Sequence, residues 1–376
     1  MRRILPILLV FSFGCFLTGC QKSTQNREYV TENGQTTVVL DQTQAIFPKE
    51  AAAVEKKVIE NYRAYDFLDN DVLVGYQFSK TVFGDDRGIW IYQLKEDKLG
   101  LRLEIEESPK TVSVSKDKAQ MVVLPDKTGE YGNLLLMDLK NGAVKTFKAP
   151  PKSYFWQFNW QYDGSGLTGF DVLQGRTKIW RINKEGTLTA SELGYFSKSY
   201  VEIENLQGTS TYLYYTLMGE ASGLYRYDWK TKKSEALSRG HFIKRLRLSP
   251  SEDRFAVVDY KNNSQMQSLS IYGIDAKVNY EVFKSPLIEQ VIWQPDGAGI
   301  VFTTVEKEGK LSVYRANLAD GQLQYLGEYP NYSIESLAFS PDSSKLLITY
   351  INQGAKDPIW ITHILTLSEG GTGYDQ

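Results

Sequence analysis

Three stretches of this 376-residue chain repeat a pattern that could do chemistry. "LRLSPSEDRFAVVDY" begins at Leu246, "VIWQPDGAGIVFTTV" at Val291 and "LAFSPDSSKLLITY" at Leu337. Brought together, carboxylates such as Asp296 and Asp342 could ligate a hard cation, which needs several converging oxygens. The same residue types also make tight turns, because proline presets φ and serine or aspartate bonds the backbone of its own turn. The copy after Pro250 carries Ser251 in place of the carboxylate, and copies dispersed around a repeat do not converge. The turn reading therefore stands, and no metal site is assigned.

Other catalytic material is sparse. The chain has two histidines, His241 and His363, and the second lies in a strand-like run, where it is expected to be packed or to face solvent. "DGSGLTG" from Asp163 lacks the G-x-S-x-G spacing of a nucleophile elbow. There is no P-loop and no zinc ligand set, and Asp69 with Asp71 in "LDNDVL" is too thin a pair for calcium. No cofactor is expected. In "SYFWQFNW", Tyr154, Trp156, Phe158 and Trp160 share one face of a strand at period two. Trp160 stands level with Trp293 and Phe339 of the later repeats, which makes it packing material; Tyr154 and Trp156 precede the shared pattern and are free to reach a ligand.

What must position these groups is an internal repeat. Ser340-Pro341, Gln294-Pro295 and Ser249-Pro250 recur at about 45 residues, and the same step backwards lands on Asn205, Gln161, Ser115 and Leu68. Each marker follows an apolar alternation and precedes another strand-like run. A second series of late strands ends in tight turns at Asn141-Gly142, Glu185-Gly186 and Asp320-Gly321, residues that tolerate positive φ. A period of 40 to 50 residues with four strands marks a β-propeller blade. The expected fold is all-β, seven four-stranded blades between about Ala64 and Leu367, with the fourth the most degenerate. The last blade lacks an outer strand, and "TTVVL", Thr36–Leu40, is expected to supply it and close the ring. Between the two, "FPKEAAAVEKKVIENYRAYDF" reads as one short helix, with Pro48 at its start and Ala53, Val54, Val58 and Tyr62 at helical spacing.

The N-terminus carries a separate message. Arg2 and Arg3 precede an apolar run from Ile4 to Leu17, shorter than the roughly 20 residues of a membrane-spanning helix. Leu17-Thr18-Gly19-Cys20 resembles the lipobox of bacterial lipoproteins. That resemblance implies cleavage after Gly19, a diacylglyceryl group on the Cys20 thiol, and attachment outside the cytoplasm. The expected organisation is a signal peptide over 1–19, a tether over 20–34, a closing strand and helix over 35–63, and the propeller over 64–370. No cysteine follows Cys20, so packing rather than disulfides must hold the fold. Without Arg2 and Arg3 the chain has 41 basic and 45 acidic residues, a net charge of about −4, which argues against nucleic acid as a partner.

The turns themselves resemble the TolB-like propeller repeat, a strand followed by Ser-Pro-Asp-Gly. "FSPDSSKLLI" matches best, "WQPDGAGIVF" replaces the serine with Gln294, and "LSPSEDRFAV" loses aspartate and glycine. The resemblance covers about residues 244–367. It implies a propeller that docks partners, an envelope protein foremost, and it transfers no catalytic residue. The polar loops between second and third strands would then form a binding rim, with Asp85, Asp86, Arg87 and Lys127 its charged candidates. Two alternatives stay open: an envelope hydrolase or lyase using carboxylates at the funnel mouth, and a sugar or peptide sensor using the funnel.

Overall fold

The computed structural model describes residues 27–32, 35–40, 56–77, 88–105, 109–125, 133–148, 157–161, 164, 166–173, 176–194, 203–260, 265–305, 310–330, 334–352 and 359–367. Three strands precede the first complete blade: β1 (Arg27–Glu32), β2 (Gln35–Leu40) and β3 (Lys56–Glu60). Blade 1 is β4 (Tyr62–Asp69), β5 (Val72–Gln77), β6 (Gly88–Gln93) and β7 (Lys98–Glu104); blade 2 is β8 (Pro109–Val114), β9 (Gln120–Pro125), β10 (Asn133–Asp138) and β11 (Val144–Lys148). Blade 3 is β12 (Gln157–Trp160), β13 (Gly166–Leu173), β14 (Arg176–Asn183) and β15 (Leu188–Gly194). Blade 4 is β16 (Ile203–Gly208), β17 (Tyr212–Leu217), β18 (Gly223–Asp228) and β19 (Lys233–Ala236). Blade 5 is β20 (Phe242–Leu248), β21 (Arg254–Tyr260), β22 (Gln267–Gly273) and β23 (Val278–Ser285); blade 6 is β24 (Ile288–Trp293), β25 (Gly299–Val305), β26 (Leu311–Asn317) and β27 (Leu323–Tyr329). Blade 7 is β28 (Ile334–Phe339), β29 (Lys345–Asn352) and β30 (Ile359–Thr366), completed by β3.

Seven antiparallel four-stranded sheets therefore stand in a ring, a seven-bladed β-propeller as the period implies. The core is divided among the seven joints between blades. Trp160 packs with Leu134, Leu167 and Trp180 between blades 2 and 3, Trp293 with Phe283 and Phe302 between 5 and 6, and Phe339 with Leu326 and Ile348 between 6 and 7. Each fully buried aliphatic or aromatic side chain contributes about 1.5–3 kcal/mol, so the stability is distributed around the ring.

The Ser-Pro-Asp question resolves at atomic level. In blade 7 the Ser340 amide bonds Lys345 O across a six-residue turn. The Ser340 hydroxyl donates to Asp342 Oδ1 at 2.6 Å and accepts from the Lys345 amide at 2.8 Å, while Asp342 Oδ1 accepts the Ser344 amide at 3.0 Å. The fourth residue of the turn takes a left-handed backbone: Lys118, Gly164, Glu252, Gly297 and Ser343 have φ between 56 and 73°. Glycine in the repeat signature serves that conformation. Blades 1 and 4 depart with two-residue loops: Asp69 pairs with Val72, and the Thr209 amide bonds Tyr212 O. Asn205 lies within β16 rather than at the turn that follows it.

Two expectations are corrected. Ring closure falls to β3, not to Thr36–Leu40: β3 pairs antiparallel with β30, Ile59 opposite Thr362. Only Asn61, with a left-handed φ of 59°, separates β3 from β4, so the chain passes directly from the outer strand of blade 7 into the inner strand of blade 1. β2 instead pairs with β1 as a hairpin and, in parallel, with β23 through Val38–Tyr280 and Val39–Glu281. The helix is also overridden where it can be compared: Val58 and Tyr62 lie on strands, and the segment's earlier residues lie outside the described ones. Adjacent β-branched Val58 and Ile59 favour a strand, and Lys56, Lys57 and Glu60 give that outer strand the charges that protect a sheet edge.

Candidate functional site

A continuous cavity of about 830 Å³ runs down the ring axis, lined by all seven innermost strands and by the turns that follow them. How each innermost strand enters it is set by a repeated irregularity. Pairing slips by one residue between Ala64/Asp66, Pro109/Thr111, Ile203/Asn205, Ile243/Arg245 and Ile334/Ser336, and in the same place between Ile288/Val291. Such a bulge leaves backbone groups outside the ladder. Side chains of the preceding blade take them up. Asn205 Nδ2 donates to Ile243 O and Lys244 O at 3.4 and 3.3 Å, Arg245 Nε to Glu289 O at 2.9 Å, and Gln290 Nε2 to Ile334 O. The sequence shows this position as Ile-Glu-Asn, Ile-Lys-Arg, Ile-Glu-Gln and Ile-Glu-Ser, starting at 203, 243, 288 and 334. The triplet recurs in four of the seven blades, but its members differ in charge, so residue type alone does not mark it.

Charge is arranged along the axis. At the bulge end stand Glu204 and Glu335, with Arg63 3.3 Å from Glu335 and Lys244 3.9 Å from Glu289. Arg63 also stacks over Trp360, its guanidinium carbon 4.4 Å from the ring centre. Toward the turn end lie Arg247 on β20 and Lys116 and Lys118 in the turn of blade 2, with Asp66 3.0 Å from Lys118. Pro250, Pro295 and Pro341 complete that mouth. Lys116 is open to the channel's water yet walled by protein. That enclosure lowers its pKa; Asp66 opposes the shift and Arg247 adds to it.

The expected site residues separate into three groups. Cys20, Asp85, Asp86, Arg87, Lys127, Tyr154 and Trp156 lie outside the described residues. Trp160 is buried packing, while Phe158 packs beside it and borders the channel. Asp71 is engaged as a structural pin: Lys95 at 2.7 Å and Lys345 at 3.0 Å hold its carboxyl below the usual range.

His241 is exposed, and His363 is only 5% exposed inside blade 7. Tyr350 Oη lies 3.4 Å from its Nε2, the rings of Tyr329 and Tyr350 flank it at 5.3 Å, and its Nδ1 has no hydrogen-bond partner among the described residues. Burial, with the Lys56 charge adding to it, lowers its pKa from 6.5 to about 4. The unfolded chain therefore binds this proton first, and stability falls as pH drops from 6.5 towards 4 and changes little on this account above that window. A loss of about 2–3 kcal/mol across it is expected. Urea titrations at both ends of the window check this, and His363→Leu should flatten the dependence; an unchanged slope in the variant would assign it elsewhere.

No family model matches the sequence, and no curated protein matches it. Solved structures do. An oligogalacturonate lyase in complex with manganese superposes with a TM-score of 0.65 and 13% identity over 84% of this chain and 91% of that one. The oligogalacturonate lyase of Vibrio parahaemolyticus gives 0.64 and 12% over 85% and 98%. TolB from Acinetobacter baumannii gives 0.46 and 18% over 63% and 59%, too loose a match to carry weight. At these identities the likeness is one of fold, and the class it defines is the β-propeller.

Proposed function

We propose that this chain is a lipid-anchored propeller on the outer face of a bacterial membrane, and that it binds a partner at its central channel without turning over a substrate. One observation carries the non-enzymatic part. Two of the channel's carboxylates are held by cations of their own, Asp66 by Lys118 and Glu335 by Arg63, instead of converging on a shared point. Acid–base pairs and metal sites need convergence, and among the described residues no group of three histidine, cysteine or acidic side chains is placed to hold a metal ion. A lyase centre like that named for the two fold neighbours would need such a meeting of groups. The anchor rests on Leu17-Thr18-Gly19-Cys20, and the docking role on the resemblance of the turns to the TolB-like repeat.

Crosslinking in cells, read by mass spectrometry for wild type and Cys20→Ala, tests both parts. The variant should leave the membrane fraction and lose its envelope crosslinks. Retention of both in Cys20→Ala would sink the anchored reading.

A further inference from the structure

We infer that the turn-side half of the channel is a receptor for a polyvalent anion carrying carboxylate or phosphoryl groups. The inference rests on the channel being the docking site, and it adds what the channel recognises.

The cations come from opposite walls. Arg247 projects from blade 5, and Lys116 and Lys118 from the turn of blade 2, three blades away around the ring of seven. Arg245, two residues before Arg247, lines the same wall one step deeper, about 6.6 Å along the strand. The Arg245 guanidinium is bonded to Glu289 O and Lys244 O at the bulge; against Arg247, Lys116 and Lys118 the channel lining of the same half has Asp66, 3.0 Å from Lys118. The turn aspartates keep their charge, but none of them lines the channel. Asp342 is bonded to Ser340 and Ser344, Asp253 to Ser249 and Ser251, and Asp117 to Ser115 and Lys184. Each is committed within its own turn or to a neighbouring lysine.

Like charges gathered in a walled cavity repel one another, and an anion relieves that repulsion where low-dielectric walls focus the field. Arginine suits the purpose because its guanidinium stays charged and offers a planar donor fork to carboxylate and phosphate. The collar of Pro250, Pro295 and Pro341 keeps the mouth from collapsing onto the cations, since proline fixes its own backbone angle. The 830 Å³ cavity is within the range of small-ligand sites. Two anionic groups about 6–7 Å apart would span Arg247 and Arg245, and the blade 2 lysines would meet the first of them from across the channel.

Calorimetric titration of the full chain with tetraglutamate and with inorganic tripolyphosphate, at low and at high salt, tests this. Saturable one-to-one binding is expected, weakened steeply by salt, with the tighter probe naming the anionic group. Lys116→Gln and Arg247→Gln should each weaken it at least tenfold, whereas Lys310→Gln, beside Glu328 on the outer part of blade 6, should leave it unchanged. Lys116 lies in an exposed turn, so its substitution keeps the test valid if Arg247→Gln fails to fold. No saturable binding to either probe, or an equal loss in all three variants, overturns the inference. Anion binding by purified protein alongside crosslinks indifferent to Cys20→Ala would refute the anchored reading and leave this one standing.

Discussion

A chain that begins at Asn61 should lose its cooperative melt or unfold at least 10 °C lower, whereas one that begins at Thr43 should melt within a few degrees of the full chain. The first lacks β3, the outer strand of blade 7, and with it five residue pairs to β30. It also lacks Ile59, which is 7% exposed at the joint of blades 7 and 1 beside Tyr62, Phe67, Leu347 and Ile364. Losing one buried isoleucine costs about 1.5–3 kcal/mol, and backbone hydrogen bonds contribute about 0.5–1.5 kcal/mol each. The sum, about 5 kcal/mol, is comparable to the whole stability of many proteins. What remains at the joint is the packing of Tyr62, Phe67, Leu347 and Ile364, Thr362, whose hydroxyl donates to Tyr62 O at 2.6 Å and accepts from Ala64 N at 3.2 Å, and Asp71 with Lys345 at the turn end. Among the described residues the second truncation removes only the β1–β2 hairpin, which meets blade 5 through two residue pairs. Calorimetry on the two truncations decides the matter: equal melts would mean that β3 does not close the ring.

That contrast locates what could be read from the sequence. Turn chemistry is local, so Ser340, Asp342, Gly297 and the glycines after Asn141, Glu185 and Asp320 announce themselves by residue type, and their spacing counts the blades. Which N-terminal segment closes the last blade is not a local property. Thr36–Leu40 has the stronger strand composition, yet Lys56–Glu60 is joined to β4 through one residue, and that connection outweighs propensity. Thr209 escapes because the spacing is uneven there, 48 residues after Gln161 and 40 before Ser249, so a fixed step of about 45 falls on Asn205. The channel cations escape for another reason. Arg247 and Lys116 sit in units of different wording, and only the ring brings blade 2 to face blade 5.

Asn205 shows how much that misread marker matters. Substituting leucine, which keeps the shape and removes the amide, should cost about 2–4 kcal/mol, because each buried polar group left without a partner costs roughly 1–3 kcal/mol. Its side chain, 5% exposed, donates to Thr216 Oγ1 at 2.9 Å and to the bulge carbonyls of blade 5, while Oδ1 accepts the Leu246 amide at 3.1 Å. Four groups on two blades depend on one amide. Asn159, in blade 3, makes the comparable reach with a single bond, to Leu206 O at 3.0 Å, and borders the channel. Asn159→Leu should therefore cost about 1 kcal/mol. Asn205→Asp separates donor from acceptor: it keeps a partner for the Leu246 amide but sets a carboxylate against two carbonyls. Its cost should exceed that of leucine at neutral pH and shrink in acid, where the protonated carboxyl can donate again. Urea midpoints for the three variants, at pH 7 and pH 5, measure the series. If Asn205→Leu proves no costlier than Asn159→Leu, the amide bridge at the bulge does not hold blades 4 and 5 together, and their joint rests on the apolar contacts of Tyr214, Leu246 and Phe255 and on the Leu248 amide bonded to Gln207 Oε1.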